Sequence, residues 1–170
     1  ADVYFTSQLK GPDHIDASVG LYLMGNVFIE KGDHGSAVAL FEKVLSVWTP
    51  FLQKCIAPVF DGGEVTTPPD WNESTKKSAQ QILKKIVEAQ TDMHGQTQIA
   101  VAQAIFAHGL LMCVIGDWKE AFKLLISASQ MFEVTAGSEH TLTRESQRYL
   151  ALAQKKKAAS FEDDEDESNL

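Results

Sequence analysis

The amino-acid sequence predicts an all-α fold: a solenoid of stacked helical hairpins in which one repeat is degenerate. Three observations carry this. One frame of small residues returns three times, as "GPDHIDASVGLYLMG" from Gly11, "GQTQIAVAQAIFAHG" from Gly95 and "GSEHTLTRESQRYLA" from Gly137. Apolar and small residues recur at helical spacing on both sides of the "KGD" and "IGD" turns. Finally, Gly25 and Gly109 lie 84 residues apart and Gly109 and Ala151 lie 42 apart, which sets a period of 42 and predicts a hidden copy between the first two.

The elements follow in order. Gly11, Gly95 and Gly137 are expected to close preceding helices in left-handed backbone, and His14 and His140 to cap or brace the helices that follow. A metal role for these histidines is the weaker reading, because equivalent positions in successive repeats lie apart. Residues 18–48 make the first hairpin. Gly32 ends its first helix and Asp33 caps its second, while Gly25 and Ala37 are small where the two cross beside Leu21, Phe28 and Phe41. In the second copy, Ala79, Leu83 and Ile86 stand 42 residues after Ala37, Phe41 and Val44, on an amphipathic helix. Its first helix is replaced by a loop at about 61–71, where Gly62–Gly63 and Pro68–Pro69 forbid a regular helix. Trp71 in that loop is expected to dock on the solenoid or on a partner. The third copy repeats the first with Gly109, Gly116, Asp117, Ala121 and Leu125. The fourth supplies a first helix ending at Lys155–Lys157, whose charge suits a helix C-terminus. The repeat domain is therefore placed at 1–157, with 158–170 as an acidic tail expected to be disordered.

The frame of Gly109, Gly116, Ala121, Leu125 and Ala128, matched by Gly25, Gly32, Ala37 and Phe41, resembles the tetratricopeptide repeat (TPR). The 42-residue period with G-x-x-H between repeats is similar to the long TPR variety of kinesin light chains. A narrower resemblance lies in "VYFTSQLKGPDHIDASVGLYLMGNVF" and "ALFEKVLSVWTPFL". Tyr4, Phe5, Gly11, His14, Ser18, Asn26, Phe28, Lys43, Val44, Val47 and Trp48 resemble the TPR region of the ciliary zinc-finger MYND-domain-containing protein twelve family. The resemblance is best over the first 50 residues. It implies a non-catalytic axonemal protein of cilia and flagella, part of the cytoskeleton, associated with inner dynein arms and their attachment to doublet microtubules. The implied partners are dynein subunits and other TPR or doublet-associated proteins. The MYND finger would lie upstream, and a chain opening on Ala1 is expected to be a piece of a longer protein. The alternative is a soluble TPR adaptor that binds short peptide motifs, as kinesin light chains and co-chaperones do.

Composition narrows the function classes. The net charge of −8 is uneven: six of the 23 acids lie in the last ten residues, leaving 17 against 15 bases. A near-neutral body argues against nucleic-acid binding, which needs a basic face. No apolar run reaches the roughly 18 residues of a membrane span, so no membrane partner is expected. Two cysteines, Cys55 and Cys113, make neither a metal pattern nor a disulfide framework. No catalytic motif occurs, so no enzyme activity, cofactor or metal is expected.

Binding surface remains. The repeat register puts Val19, Tyr22, Asn26 and Ile29 on the concave face of the first copy. Gln103, Phe106, Leu110 and Cys113 follow in the third, and Glu145, Arg148, Leu152 and Lys155 in the fourth. These are the candidate partner-binding residues, with Trp71 as a loop contact, for a helix or extended segment. A chaperone-type carboxylate clamp is not expected. Asn26 fits one of its positions, but Tyr22 stands where a lysine is needed to hold the desolvated anion.

Overall fold

Most of the helices begin where the sequence offers a side chain to hold their first free amides. His14 Nδ1 accepts from the Asp16 amide at 3.2 Å, and His140 Nδ1 from the Leu142 amide at 3.2 Å. Asp33 accepts from Ser36 N at 3.1 Å, Asn72 from Thr75 N at 3.0 Å and Asp117 from Glu120 N at 3.0 Å. The Ser36 bonds hold the Asp33 carboxyl below the usual carboxylate range. Gln98, in the histidine place of the third copy, makes no capping bond.

The computed structural model describes residues 14–95 and 98–168, with side chains to residue 161. Gly11, Tyr4 and Phe5 lie outside the described residues. Those described form six helices: α1 Ile15–Glu30, α2 His34–Phe60, α3 Glu73–His94, α4 Ile99–Ile115, α5 Trp118–Ala136 and α6 Thr141–Ser168. The protein is all-helical over this span. Helices α1 and α2 pack together, as do α4 and α5, and α5 packs on α6. The fourth helix also meets α2, α3 and, more lightly, α6, whereas α2 and α3 barely touch.

The 42-residue period is visible in the packing. Ala37, Ala79 and Ala121 are all buried, as are Phe41, Leu83 and Leu125, and Val44, Ile86 and Ala128. Close crossing explains the glycines. A Cβ on Gly25 would stand 2.5 Å from Phe41 Cε1, and one on Gly109 would stand 3.0 Å from Leu125 Cδ2. The junction glycines differ from expectation. Gly116 is left-handed, but Gly95 and Gly137 combine φ of 75° and 91° with extended ψ, a region that essentially only glycine adopts. Thr143 braces the second of these junctions by donating to the Gly137 carbonyl at 2.7 Å.

The second repeat shows what replaces its missing helix. Helix α2 does not stop near Trp48 but runs on through Pro50 and Pro58 to Phe60. Proline inside a helix removes a donor and costs about 3 kcal/mol. The extension recovers this by burying Leu52, Cys55, Ile56 and Val59. The loop at 61–72 folds back on it. Thr66 N donates to the Cys55 carbonyl at 3.0 Å, and Trp71 lies 5.9 Å from Phe51 and 6.5 Å from Trp48 between ring centroids. Trp71 thus docks on its own chain.

Helix α6 also departs from expectation. It continues to Ser168, so residues 158–168 of the tail expected to be disordered have helical backbone, and 169–170 lie outside the described residues. The run after Lys155 holds no glycine or proline, and an existing helix adds residues at little cost.

Two predictions follow from the packing. Phe41 is fully buried and its ring has nowhere to go. Gly25→Ala should therefore lower unfolding stability by about 1–2 kcal/mol net, an overpacking cost exceeding the gain in helix propensity. A Cβ on Gly109 would meet Leu125 Cδ2 and Cγ at 3.0 Å and Leu124 Cβ at 3.4 Å, a milder crowding, so Gly109→Ala should cost less than Gly25→Ala in the same urea titration. Gln90 is fully buried on α3 and neither amide atom has a hydrogen-bond partner among the described residues. Gln90→Met should raise stability by about 1 kcal/mol, because the stranded polar group costs more than it returns.

Candidate protein-interaction site

Two clefts flank α6, and the α2 extension is what builds them. The first has a volume of about 590 Å³ and lies between α2, α4 and α6. Its walls include Glu42, Thr49 and Gln53 from α2, Gln103 and Phe106 from α4, and Leu142 and Glu145 from α6. Ser46 and Pro50 also line this cleft.

The second cleft, about 460 Å³, lies where the end of α2 meets α6. Arg148, Leu152, Lys155 and Ala159 recur at three- and four-residue spacing on α6 and line one side with Lys156. Val59 and Phe60 of α2 line the other. The Arg148 guanidinium carbon lies 4.0 Å from the centroid of the Phe60 ring, within cation–π range. Phe60 in turn meets Tyr149 edge-on at 5.2 Å, and Tyr149 meets Phe106 at 5.8 Å. This aromatic chain fixes the arginine against the wall. The cleft lining carries three cations and no acid. Among the described residues, salt bridges are seen at Lys76–Glu73, Lys85–Glu88, Lys123–Glu120 and Arg144–Glu139, none of them in this lining. Lys157 is turned away, over the Phe122 ring at 3.9 Å.

The sequence-predicted residues do not share one surface. Gln103 and Phe106 border the first cleft and Arg148 the second. Asn26 and Ile29 line a third cleft against α3, and Val19 a small one beside Trp48. Tyr22 packs near Phe41, with centroids 6.2 Å apart. Leu110 needs correcting as a groove residue, since it is 0% exposed and lines none of these clefts, whereas Phe106, 3% exposed, reaches the first cleft only as part of its floor. The α2 extension lies against the helix that carries them and closes what would have been an open face. The signal for that extension was present in "PFLQKCIAPVF", where apolar positions 51, 52, 55, 56, 59 and 60 keep helical spacing past both prolines. Lys155, placed on the same face as Arg148 by the repeat register, and Lys156 complete the basic cleft, and only the fold brings Phe60 to them.

Burial holds the thiols and one phenol in their protonated forms. Cys113 is fully buried and its thiol is pushed up to about 12 by that burial, so it stays protonated near neutral pH. Burial likewise raises Cys55 and carries the Tyr149 hydroxyl up to about 12. Among the described residues no three His, Cys, Asp or Glu side chains gather closely enough to hold a metal ion. No described helix is long and apolar enough to cross a membrane. No protein-family model matches the chain.

His108 on α4 gives a pH signature. Its burial lowers its pKa first; Glu120 opposes this and Lys84 adds to it. The unfolded chain binds this proton more readily, near the ordinary value of about 6.5. The contribution to stability is therefore full above that value and lost as pH falls through it toward the folded value. The urea midpoint should drop between pH 7.5 and pH 5, and His108→Gln should flatten that part of the profile.

Proposed function

We propose that this chain is a non-catalytic protein–protein interaction scaffold built on a TPR-like α-solenoid. On this reading it is an axonemal component that attaches or positions inner-arm dynein on ciliary doublet microtubules. The observation that carries the scaffold reading is the pair of clefts along α6, apolar below and polar above, held by an aromatic chain rather than by a catalytic constellation. The solenoid reading is supported by the 42-residue recurrence of buried positions, by the Gly32–Asp33 and Gly116–Asp117 turns, and by the hairpins they join. The axonemal assignment rests on the family resemblance of the first 50 residues. It implies dynein subunits and doublet-associated proteins as partners.

The second reading, a soluble adaptor for short peptides, is favoured by one observation. The cleft of Arg148, Lys155 and Lys156 has an apolar floor and no acid in its lining, which suits an acidic segment carrying an apolar residue.

Cross-linking mass spectrometry on detergent-stripped axonemes separates the two. The axonemal scaffold should give cross-links from Lys76, Lys77, Lys84 or Lys155 to dynein or doublet proteins. Recovery of the chain only among soluble proteins would overturn that assignment. In either case, Arg148→Glu with Lys155→Glu should weaken partner binding at least tenfold if the basic cleft is the contact.

A further inference from the structure

The two clefts beside α6 are successive stretches of one seam between α2 and α6. Along α2, residues 42–53 line the first cleft and residues 59–62 the second. Along α6, Leu142 and Glu145 line the first, and residues 148–159 the second. The clefts therefore follow in the same order along both walls. On α6 the lining positions 142, 145, 148, 152, 155 and 159 make one stripe at three- and four-residue spacing. The Phe106, Tyr149 and Phe60 rings connect the first cleft to the second. The seam is oppositely charged at its two ends. The first cleft has Glu42 and Glu145 and no base, whereas the second has its three cations and no acid. Glu145 and Lys156 are half-buried, and neither joins a salt bridge seen among the described residues. The first cleft also presents the Gln53 and Gln103 amides, each with donors and an acceptor. Such amides match an extended backbone, whose N–H and C=O groups are free, whereas a helix has already paired its own.

We propose that one extended segment of a partner protein occupies both clefts at once. Its basic residue meets Glu42 and Glu145, its acidic residues meet Arg148 and Lys155, and an apolar residue between them rests on the aromatic rings. This rests on the scaffold reading and deepens it: the acidic segment that the basic cleft accepts is one half of a longer signature. The spacing of that signature follows from α6. Glu145 and Lys155 are ten residues apart. That is about 15 Å along the helix axis, a distance an extended chain covers in about five residues. The partner segment therefore carries its base and its acids about five positions apart. The opposed charges also reject the wrong partner. A uniformly acidic segment sets one end against Glu42 and Glu145, and a uniformly basic one sets an end against Arg148 and Lys155.

The test is an array of immobilised peptides of about ten residues, long enough to span both clefts when extended. Each carries a lysine and a pair of glutamates in a serine background with a central leucine. The separation of lysine from glutamates is stepped from about one to about eight residues, in both orders, to bracket the expected reach. The full chain, fluorescently labelled, should bind best near a separation of about five. Peptides lacking either the lysine or the glutamates should bind about tenfold more weakly, since each end makes charge-assisted contacts. Glu42→Lys with Glu145→Lys should lose the preference for lysine and keep that for glutamate. Arg148→Glu with Lys155→Glu should do the reverse, so each variant controls for the folding of the other. Binding that needs only the glutamates, at any spacing, and is untouched by the Glu42 and Glu145 changes overturns the proposal and leaves an adaptor with one basic cleft. Binding to no peptide of the array overturns it as well, and the scaffold reading then stands or falls on the axonemal cross-links.

Discussion

Helix α4 has no side to give to water. Its sequence is apolar around the whole circumference, and 13 of its 17 residues are buried. A helix of that kind can exist only inside other helices, so the rest of the chain is arranged to enclose it. The α5 and α3 helices cover it, and α6 closes a further side. The remaining surface falls to α2, which must be long enough to reach it. The two prolines in α2 are tolerated because stopping at the first would leave Leu52, Ile56 and Val59 unburied and part of α4 exposed. The burial of one leucine or isoleucine is worth about 1.5–3 kcal/mol, so two or three of them outweigh a helix defect.

That enclosure creates the clefts. Where α2 lies over α4 without filling the space to α6, the polar ends of Gln103 and Glu145 face a gap above the Phe106 ring. Where α2 ends, Phe60 becomes the platform on which Arg148 rests. Stability and recognition therefore use the same residues. The Phe60–Tyr149–Phe106 chain links the basic cleft to the core, and a change in any of the three disturbs both.

The charges are organised on a longer scale. The body is near neutral, its surface ion pairs lie mostly within single helices three residues apart, and such exposed pairs contribute little to stability. Three cations line the basic cleft, and six acids follow in the sequence at 162–167.

Residue types at a fixed spacing were enough to determine the helical class, the 42-residue period, the Gly32–Asp33 and Gly116–Asp117 turns, the close crossings at Gly25 and Gly109, and the loop that interrupts the second repeat. Each of these is local or nearly so: a cap, a turn, or a small residue facing a large one in the next helix. The sequence also marked Arg148 and Gln103, but for a shared concave face that the described residues do not present, and Trp71 for a docking contact that it makes on its own chain. The path of α2 past its prolines, the burial of Phe106 and Leu110, and the meeting of Phe60 with Arg148 were decided by tertiary structure alone. The reason is that a missing helix leaves apolar surface without specifying what will cover it. The repeat pattern predicts a gap, and only the competition among neighbouring segments to bury that surface determines which one fills it.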